Sequence, residues 1–243
     1  MKMTETAVID GDILAYRAAF WADQEGGEWL EGRIIDDLKR WTPPGIKNIV
    51  VTLSCRRQDN FRKKWLPQYK EHRNDRPTPD NLPDAMQCLK DNALTITGEG
   101  LEADDLMGIM KSQLSAVCVT IDKDLQQVPG YWWYPPVDPD SPTGEIQYTT
   151  VEQADYWFHR QWITGDSTDN IPGIWKMGPK KAEALLNATA PKNHTALVLA
   201  LYERKPTKDG GSYTYDDAVA MGKAVRILRD GEETHPWFPC DEQ

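Results

Sequence analysis

Cysteine is scarce and scattered. Cys55, Cys88, Cys118 and Cys240 share no CxxC spacing and form no disulfide-like framework, which points to a reducing cytoplasm. The four histidines are dispersed without metal-ligand spacing, so a zinc site is excluded. Long hydrophobic runs are missing as well. A stretch such as Ala116 to Ile121 is far too short to span a bilayer, and no membrane partner is expected. Met1-Lys2-Met3-Thr4-Glu5 leads straight into a strand-like run, with no signal pattern. There is no internal repeat and no low-complexity tract. Positive charge is also short: 28 Lys and Arg stand against 38 Asp and Glu, for a net charge of −10. That deficit argues against a nucleic-acid partner, because phosphate contacts need Lys and Arg.

The distribution of charge outweighs the total. Between Arg56 and Arg76 eight basic residues face only Asp59, Glu71 and Asp75, a local excess of five. Setting aside the eight carboxylates proposed below as metal ligands leaves −2. At 243 residues, with 40% hydrophobic and 27% charged residues, the chain suits one large α/β domain or one domain with a helical appendage.

Thr6-Ala7-Val8-Ile9 reads as a buried strand that delivers Asp10 at its C-terminal end, where open α/β sheets place their sites. Asp10 is equally well placed to cap the following helix, and position alone does not separate the two roles. Helical spacing follows over 13–21 and 29–41, and a second strand over 46–53 enters through Pro43-Pro44-Gly45. The segment 60–73 interleaves basic and aromatic side chains, as a surface gripping single-stranded nucleic acid would. Phe61, Trp65 and Leu66 are expected to point inward, leaving Arg62, Lys70 and Arg73 for phosphate. Further on, a helix is expected over 84–92 and strands over 93–97, 116–121 and 131–134, with 144–148 completing a hairpin. Asp138 and Asp140 are turn formers. Helices are expected over 151–164, 182–187, 194–203 and 215–229.

Acids recur where these elements end. Leu101-Glu102-Ala103-Asp104-Asp105 opens a helix, where carboxylates favour the macrodipole but where Glu102 and Asp105, on one face, could also share a cation. Asp122 and Asp124 follow a strand, and Asp166 and Asp169 sit in Gly165-Asp166-Ser167-Thr168-Asp169-Asn170-Ile171-Pro172-Gly173-Ile174. Four acidic clusters with almost no nearby His or Cys point to a hard, oxygen-ligated cation, Mg²⁺ or Mn²⁺. Two such ions about 4 Å apart would clamp the attacking and leaving oxygens of a phosphodiester, with water as nucleophile. Lys70 and Arg73 would stabilise the charge that builds on the phosphate. The last acidic cluster runs into Met177-Gly178-Pro179-Lys180-Lys181, so phosphate-backbone binding lies beside the cation chemistry, an arrangement suited to cutting nucleic acid.

The order DGD, FRxxxxPxYKxxR, EADD, DKD, GDSTDNIPGI and a Gly-Pro-Lys-Lys helix start resembles the 5′-nuclease superfamily. That family includes flap endonucleases, the 5′–3′ exonuclease domain of bacterial DNA polymerase I and the exonucleases of T-odd bacteriophages. The match runs over 7–187, and Met221 to Arg229 is similar to the end of the short, stand-alone phage enzymes, whose setting would be a bacterial host cytoplasm. The resemblance implies an α/β, PIN-like (Rossmann-like) fold with a mostly parallel sheet flanked by helices. Its nuclease core would span 1–150, with a helical arch around 60–90, and a helical DNA-binding region with a helix–three-turn–helix hairpin would span 151–243. It implies a metal set of Asp10, Glu102, Asp104 and Asp105 for a first ion, with Asp122 and Asp124 shared or on a second ion that Asp166 and Asp169 complete. Asp12 is a less regular member of that set. Lys70 and Arg73 become catalytic, on a gateway helix whose Tyr69 stacks on a base. Gly173, Lys176, Gly178, Lys180 and Lys181, with Arg62, become DNA contacts, and hairpin carbonyls can hold K⁺.

The implied activity is two-metal hydrolysis of DNA with a free 5′ end, duplex or flap, by a monomer. Two departures stand out: Ser54 occupies the place of the usual strand-end Asp, and Lys176 that of the usual hairpin glycine. The rival readings are a PIN-type metal-dependent RNase and a catalytically silent DNA-structure-binding module. The hairpin argues against the first and the remaining carboxylates against the second.

Overall fold

A computed structural model describes residues 5–75, 77–138, 140–141 and 144–232. Cys240 lies outside the described residues. Six strands form one sheet: β1 (Thr6–Asp10), β2 (Asn48–Leu53), β3 (Leu94–Thr97), β4 (Val117–Val119), β5 (Gly130–Trp133) and β6 (Gln147–Thr149). Their order is β3-β2-β1-β4-β5-β6, parallel throughout except for β6, which pairs antiparallel with β5. The expected hairpin is therefore present, and β6, not β5, closes that edge.

Strand β1 is central, with Ile9 opposite both Val51 and Val119. Its burial on both faces explains why it reads as a continuous apolar run. Ala7, Ile9, Val117 and Val119 pack on one face against α1 (Gly11–Glu25), α2 (Leu30–Arg40) and α3 (Leu82–Asn92). Ala15, Ala18, Ala19 and Ala22 are all buried on α1, and these short side chains let the helix lie close on the sheet. Val8 and Cys118 face the other way, onto Met107 of α4 (Ala103–Leu114) and Ile227.

A separate apolar cluster joins α5 (Val151–Thr164), α6 (Pro179–Asn187), α7 (His194–Arg204) and α8 (Tyr215–Val225), and takes in Leu66 and Tyr69. A Thr150–Gln153 capping box starts α5 where the sequence places it. Helix α8 stops four residues before the expected end. There Arg226 turns extended, its carbonyl takes Arg62 at 2.6 Å, and the Leu228 N–H goes to Asp105 at 3.2 Å. Among the described residues no helix is long and apolar enough to cross a membrane.

Among the described residues of 60–90 no helix stands out as the expected arch. Short 3-10 turns at 57–59, 61–64 and 71–73 lie down on the sheet's end, and α3 packs into the core through Ala85 and Leu89. Trp65, expected inside, is 41% exposed, with the Lys223 ammonium 3.4 Å from its ring centroid. Leu66 is buried and Phe61 half-buried.

Candidate active site

Parallel order reverses between β1 and β4, and the crevice beyond their C-terminal ends is where ligands bind in open α/β sheets. A cleft of about 690 Å³ opens there. Asp10, Glu102, Asp104, Asp122, Asp124, Asp166 and Asp169 all line it, with Lys70 and Arg73. Asp10 caps α1, its Oδ1 accepting the Ile13 N–H at 3.1 Å, and it also lines the cleft, where Oδ2 accepts the Thr120 hydroxyl at 2.9 Å.

The loop bearing Asp166 and Asp169 is pinched at its base. Gly165 and Gly173 both have left-handed φ, +68° and +61°. A Cβ on Gly165 would sit 2.2 Å from the Ile171 carbonyl oxygen, and one on Gly173 2.3 Å from the Gly165 nitrogen. The Asp166 N–H donates to Ile171 O and the Ile171 N–H to Asp166 O, which holds the turn closed. Gly173 is buried in this contact and offers no backbone to DNA, contrary to expectation. Gly178, by contrast, is open where α6 begins, and Lys176, Lys180 and Lys181 are exposed. Lys176 keeps the hairpin turn by adopting φ +59°.

Asp105 leaves the expected metal set. It is fully buried behind the cleft, and both its oxygens are taken by Arg62, at 2.7 Å each. It also accepts N–H groups from Glu102 at 3.0 Å and Leu228 at 3.2 Å. Arg62 leaves the expected DNA-binding set for the same reason. At 3% exposure its remaining donors go to Glu102, Ala224 O and Arg226 O, so none is left for phosphate. Tyr69 is likewise unable to stack on a base. It is 2% exposed, and its single hydroxyl proton is shared between Glu102 at 2.6 Å and Asp169 at 3.0 Å.

Lys70 and Arg73 do reach the cleft, from turns rather than a gateway helix, and they neutralise its rim. Lys70 Nζ lies 2.6 Å from Glu102 and 3.4 Å from Asp169, and Arg73 2.6 Å from Asp169. Burial would raise the Glu102 carboxyl, but Lys70 and Arg62 outweigh it and hold it at about 2.

The deeper acids lack such partners. Burial, reinforced by Asp12, pushes Asp10 up to about 7. Burial, Asp10 and Asp122 raise Asp104 well above the carboxylate range. Asp122 is raised by burial against the neighbouring acids, and Asp124 by burial and Asp122 to about 7. Asp104 Oδ1 is buried with no hydrogen-bond partner. Among the described residues no three of these side chains converge on one point as they stand. The mutual repulsion of oxygen-only groups and the orphaned Asp104 oxygen nonetheless fit a hard divalent cation, which would offset both.

Sequence reasoning missed the neutral groups that aim these acids. Thr120 steadies Asp10, and Gln161 donates to Asp124 at 2.9 Å and Asp166 at 3.2 Å. Gln161 lies one helical turn before Gly165, a spacing that could have flagged it. Ser54 does not leave its corner without an acid. Its hydroxyl and N–H both hold the Asp12 carboxylate, and the same oxygen accepts the Ala103 N–H at 2.9 Å.

A cleft of buried carboxylates at a sheet's switch point, beside an exposed basic hairpin, suits a nuclease. The family model for the 5′-3′ exonuclease, N-terminal resolvase-like domain, matches residues 5–131, and the chain belongs to this 5′-nuclease family. It is 33% identical over 220 residues to the exodeoxyribonuclease of Enterobacteria phage T3, covering 74% of this chain and 70% of that protein. It is 29% identical over 219 residues to the exonuclease of Escherichia phage T7, covering 74% and 71%. Its fold is similar to that of the bacteriophage T5 D15 flap endonuclease solved with DNA and metal ions: TM-score 0.58, 16% identity, 90% of this chain and 85% of that one.

Proposed function

We propose that this protein is a divalent-metal-dependent 5′ nuclease that hydrolyses DNA phosphodiesters from a free 5′ end, as an exonuclease and at flaps. The observation that carries the reading is the set of buried acids around Asp104, whose oxygen has no protein partner, at the sheet's switch point. Asp10, Asp104, Asp122 and Asp124 would hold Mg²⁺ or Mn²⁺, with Glu102, Asp166 and Asp169 at the rim and Asp12 beside Asp10. When bound, such ions supply charge neutralisation at the phosphate and an activated water.

The chain's own groups do the rest. Lys70 and Arg73, now on Glu102 and Asp169, are within the cleft and can exchange a carboxylate for a phosphate oxygen once the rim acids turn inward. Tyr69 anchors that rim. Thr120 and Gln161 hold Asp10, Asp124 and Asp166 in place without adding charge. The helical region that begins at 151, whose last residues after 232 lie outside the described ones, would grip the duplex through Lys176, Lys180 and Lys181 and the open N-terminus of α6. Potassium at the hairpin carbonyls and a monomeric state belong to the same proposal. The silent-module alternative rested on Ser54, and Asp12 now supplies the carboxylate at that corner.

Digestion of a 5′-labelled flap, a blunt duplex and an RNA strand, with Mg²⁺, Mn²⁺ or EDTA, tests the reading. Metal-dependent release of short 5′ products from DNA supports it, and the product ladder separates exonuclease from flap cutting. Intact DNA in every metal, or cleavage of RNA alone, refutes it.

A further inference from the structure

The hairpin's basic surface does not end at Lys181. Trp175, 39% exposed at the hairpin tip, has two ammonium groups over one ring: Lys176 Nζ at 5.6 Å from the centroid and Lys208 Nζ at 6.0 Å. Lys208 comes from the loop between α7 and α8, distant in sequence from the hairpin. That loop is a small ordered turn. Pro206 bridges Ser212, the Thr207 N–H donates to Gly211 O at 2.9 Å, and Gly210 takes φ +83°.

Tyr213 fastens the loop to the hairpin. Its hydroxyl accepts the Trp175 N–H at 2.9 Å and donates to Gly173 O at 3.3 Å. Its ring packs edge-on against the buried Tyr202, at 5.2 Å. Two like charges over one indole repel each other. Among the described residues, neither Lys176 nor Lys208 is ion-paired with a carboxylate within 4.0 Å. The neighbouring Asp209 is exposed. A pair of exposed ammonium groups, neither ion-paired, at one aromatic ring suits an anion that also has an apolar side.

We infer that Trp175, Lys176 and Lys208 form one composite site for the sugar–phosphate backbone of duplex DNA, with the 205–213 loop as a second arm of the hairpin. The lysines take neighbouring phosphates and the indole lies against the deoxyribose between them. This inference rests on the nuclease reading above, and its test separates the two.

Binding of a fluorescent blunt duplex and of a single strand is measured by anisotropy in EDTA over a range of salt, for the wild type, Lys208→Ala, Lys176→Ala and Lys90→Ala. Lys90, exposed on α3, controls for the loss of one positive charge elsewhere. Each phosphate contact contributes about 0.9 to the slope of log K against log salt. Lys208→Ala should therefore flatten the duplex slope by about 0.9 and weaken duplex binding by about 3- to 10-fold, a loss of about 0.7–1.4 kcal/mol. Lys176→Ala should do the same and Lys90→Ala should do neither. A wild-type slope in Lys208→Ala, with a flattened one in Lys176→Ala, overturns the composite site and leaves the hairpin reading standing. A change confined to the single strand overturns the duplex assignment. No duplex binding by the wild type overturns both readings.

Discussion

Asp104 and Asp105 are adjacent in sequence, both acidic, and both belong to the metal set implied by family resemblance, yet their surroundings give opposite expectations for the same substitution. Asp105→Asn removes the charge that faces Arg62 in a site where Asp105 is fully buried and Arg62 is 3% exposed. Only Glu102, at 3.3 Å, then remains as a charged partner for the guanidinium. Breaking a buried pair by neutralising one member costs about 3–5 kcal/mol, because the other charge stays desolvated. With a urea m value of about 3 kcal/mol/M, the midpoint should fall by about 1–1.7 M, with or without metal. Asp104→Asn removes an acid that burial and its neighbours already disfavour as an anion. Metal-free stability should therefore hold or rise. Urea melts of wild type and both variants, in EDTA and in Mg²⁺, provide the comparison. Asp105→Asn should lose stability and keep its Mg²⁺-induced stabilisation, whereas Asp104→Asn should keep stability and lose the Mg²⁺ response. A stable Asp105→Asn variant that no longer responds to Mg²⁺ would return Asp105 to the metal set and refute the argument.

Three further outcomes follow from the same geometry. Asp10 and Asp124 are raised to about 7 in the folded protein, so between pH 4 and 7 the folded state binds more protons than the unfolded one, and metal-free stability must fall as pH rises through that window. Glu102, held at about 2 against an ordinary 4.5, adds an opposing slope below about pH 5.5, where the unfolded chain still protonates it, and none above. Melting in EDTA should therefore drop from pH 5 to pH 8, by an amount on the order of a few kcal/mol, and Mg²⁺ should restore it at pH 8; a flat profile contradicts the account. Lys70→Ala should lower single-turnover cleavage about 10²- to 10³-fold while DNA still binds, and near-normal turnover would remove Lys70 from the chemistry. Gly165→Ala puts a Cβ 2.2 Å from Ile171 O at φ +68°, so it should destabilise the acidic loop and cleavage together; wild-type melting and activity would show that the pinch does not matter.

The strands and most helices were legible because hydrophobic period and end signals agree. Helix α5 spans Val151–Thr164 as expected, with its Thr150 cap and Gly165 stop. The cleft was legible because strand ends and loop acids fall on the same edge of a parallel sheet. What was not legible is which partner each charge meets. Glu102 and Asp105 at i, i+3 look the same whether they face a cation or a guanidinium, and only the threading of Arg62 between α4 and the 224–228 segment decides. The 60–73 segment reads as a basic, aromatic surface, but Tyr69 has a hydroxyl that can bridge Glu102 and Asp169, and this draws the ring inside. Ser54 looks like a lost acid until Asp12 is seen across from it, a contact spanning 42 residues.

The most direct test of the central claim is the single-turnover cleavage of a 5′-labelled flap by Asp122→Asn in saturating Mg²⁺, with DNA affinity measured alongside. Asp122 lines the cleft among the acids that have no cationic partner and takes no part in the buried Arg62 pair. Loss of cleavage with DNA affinity kept is the result expected if these carboxylates hold the metal for hydrolysis. Cleavage at the wild-type rate contradicts it.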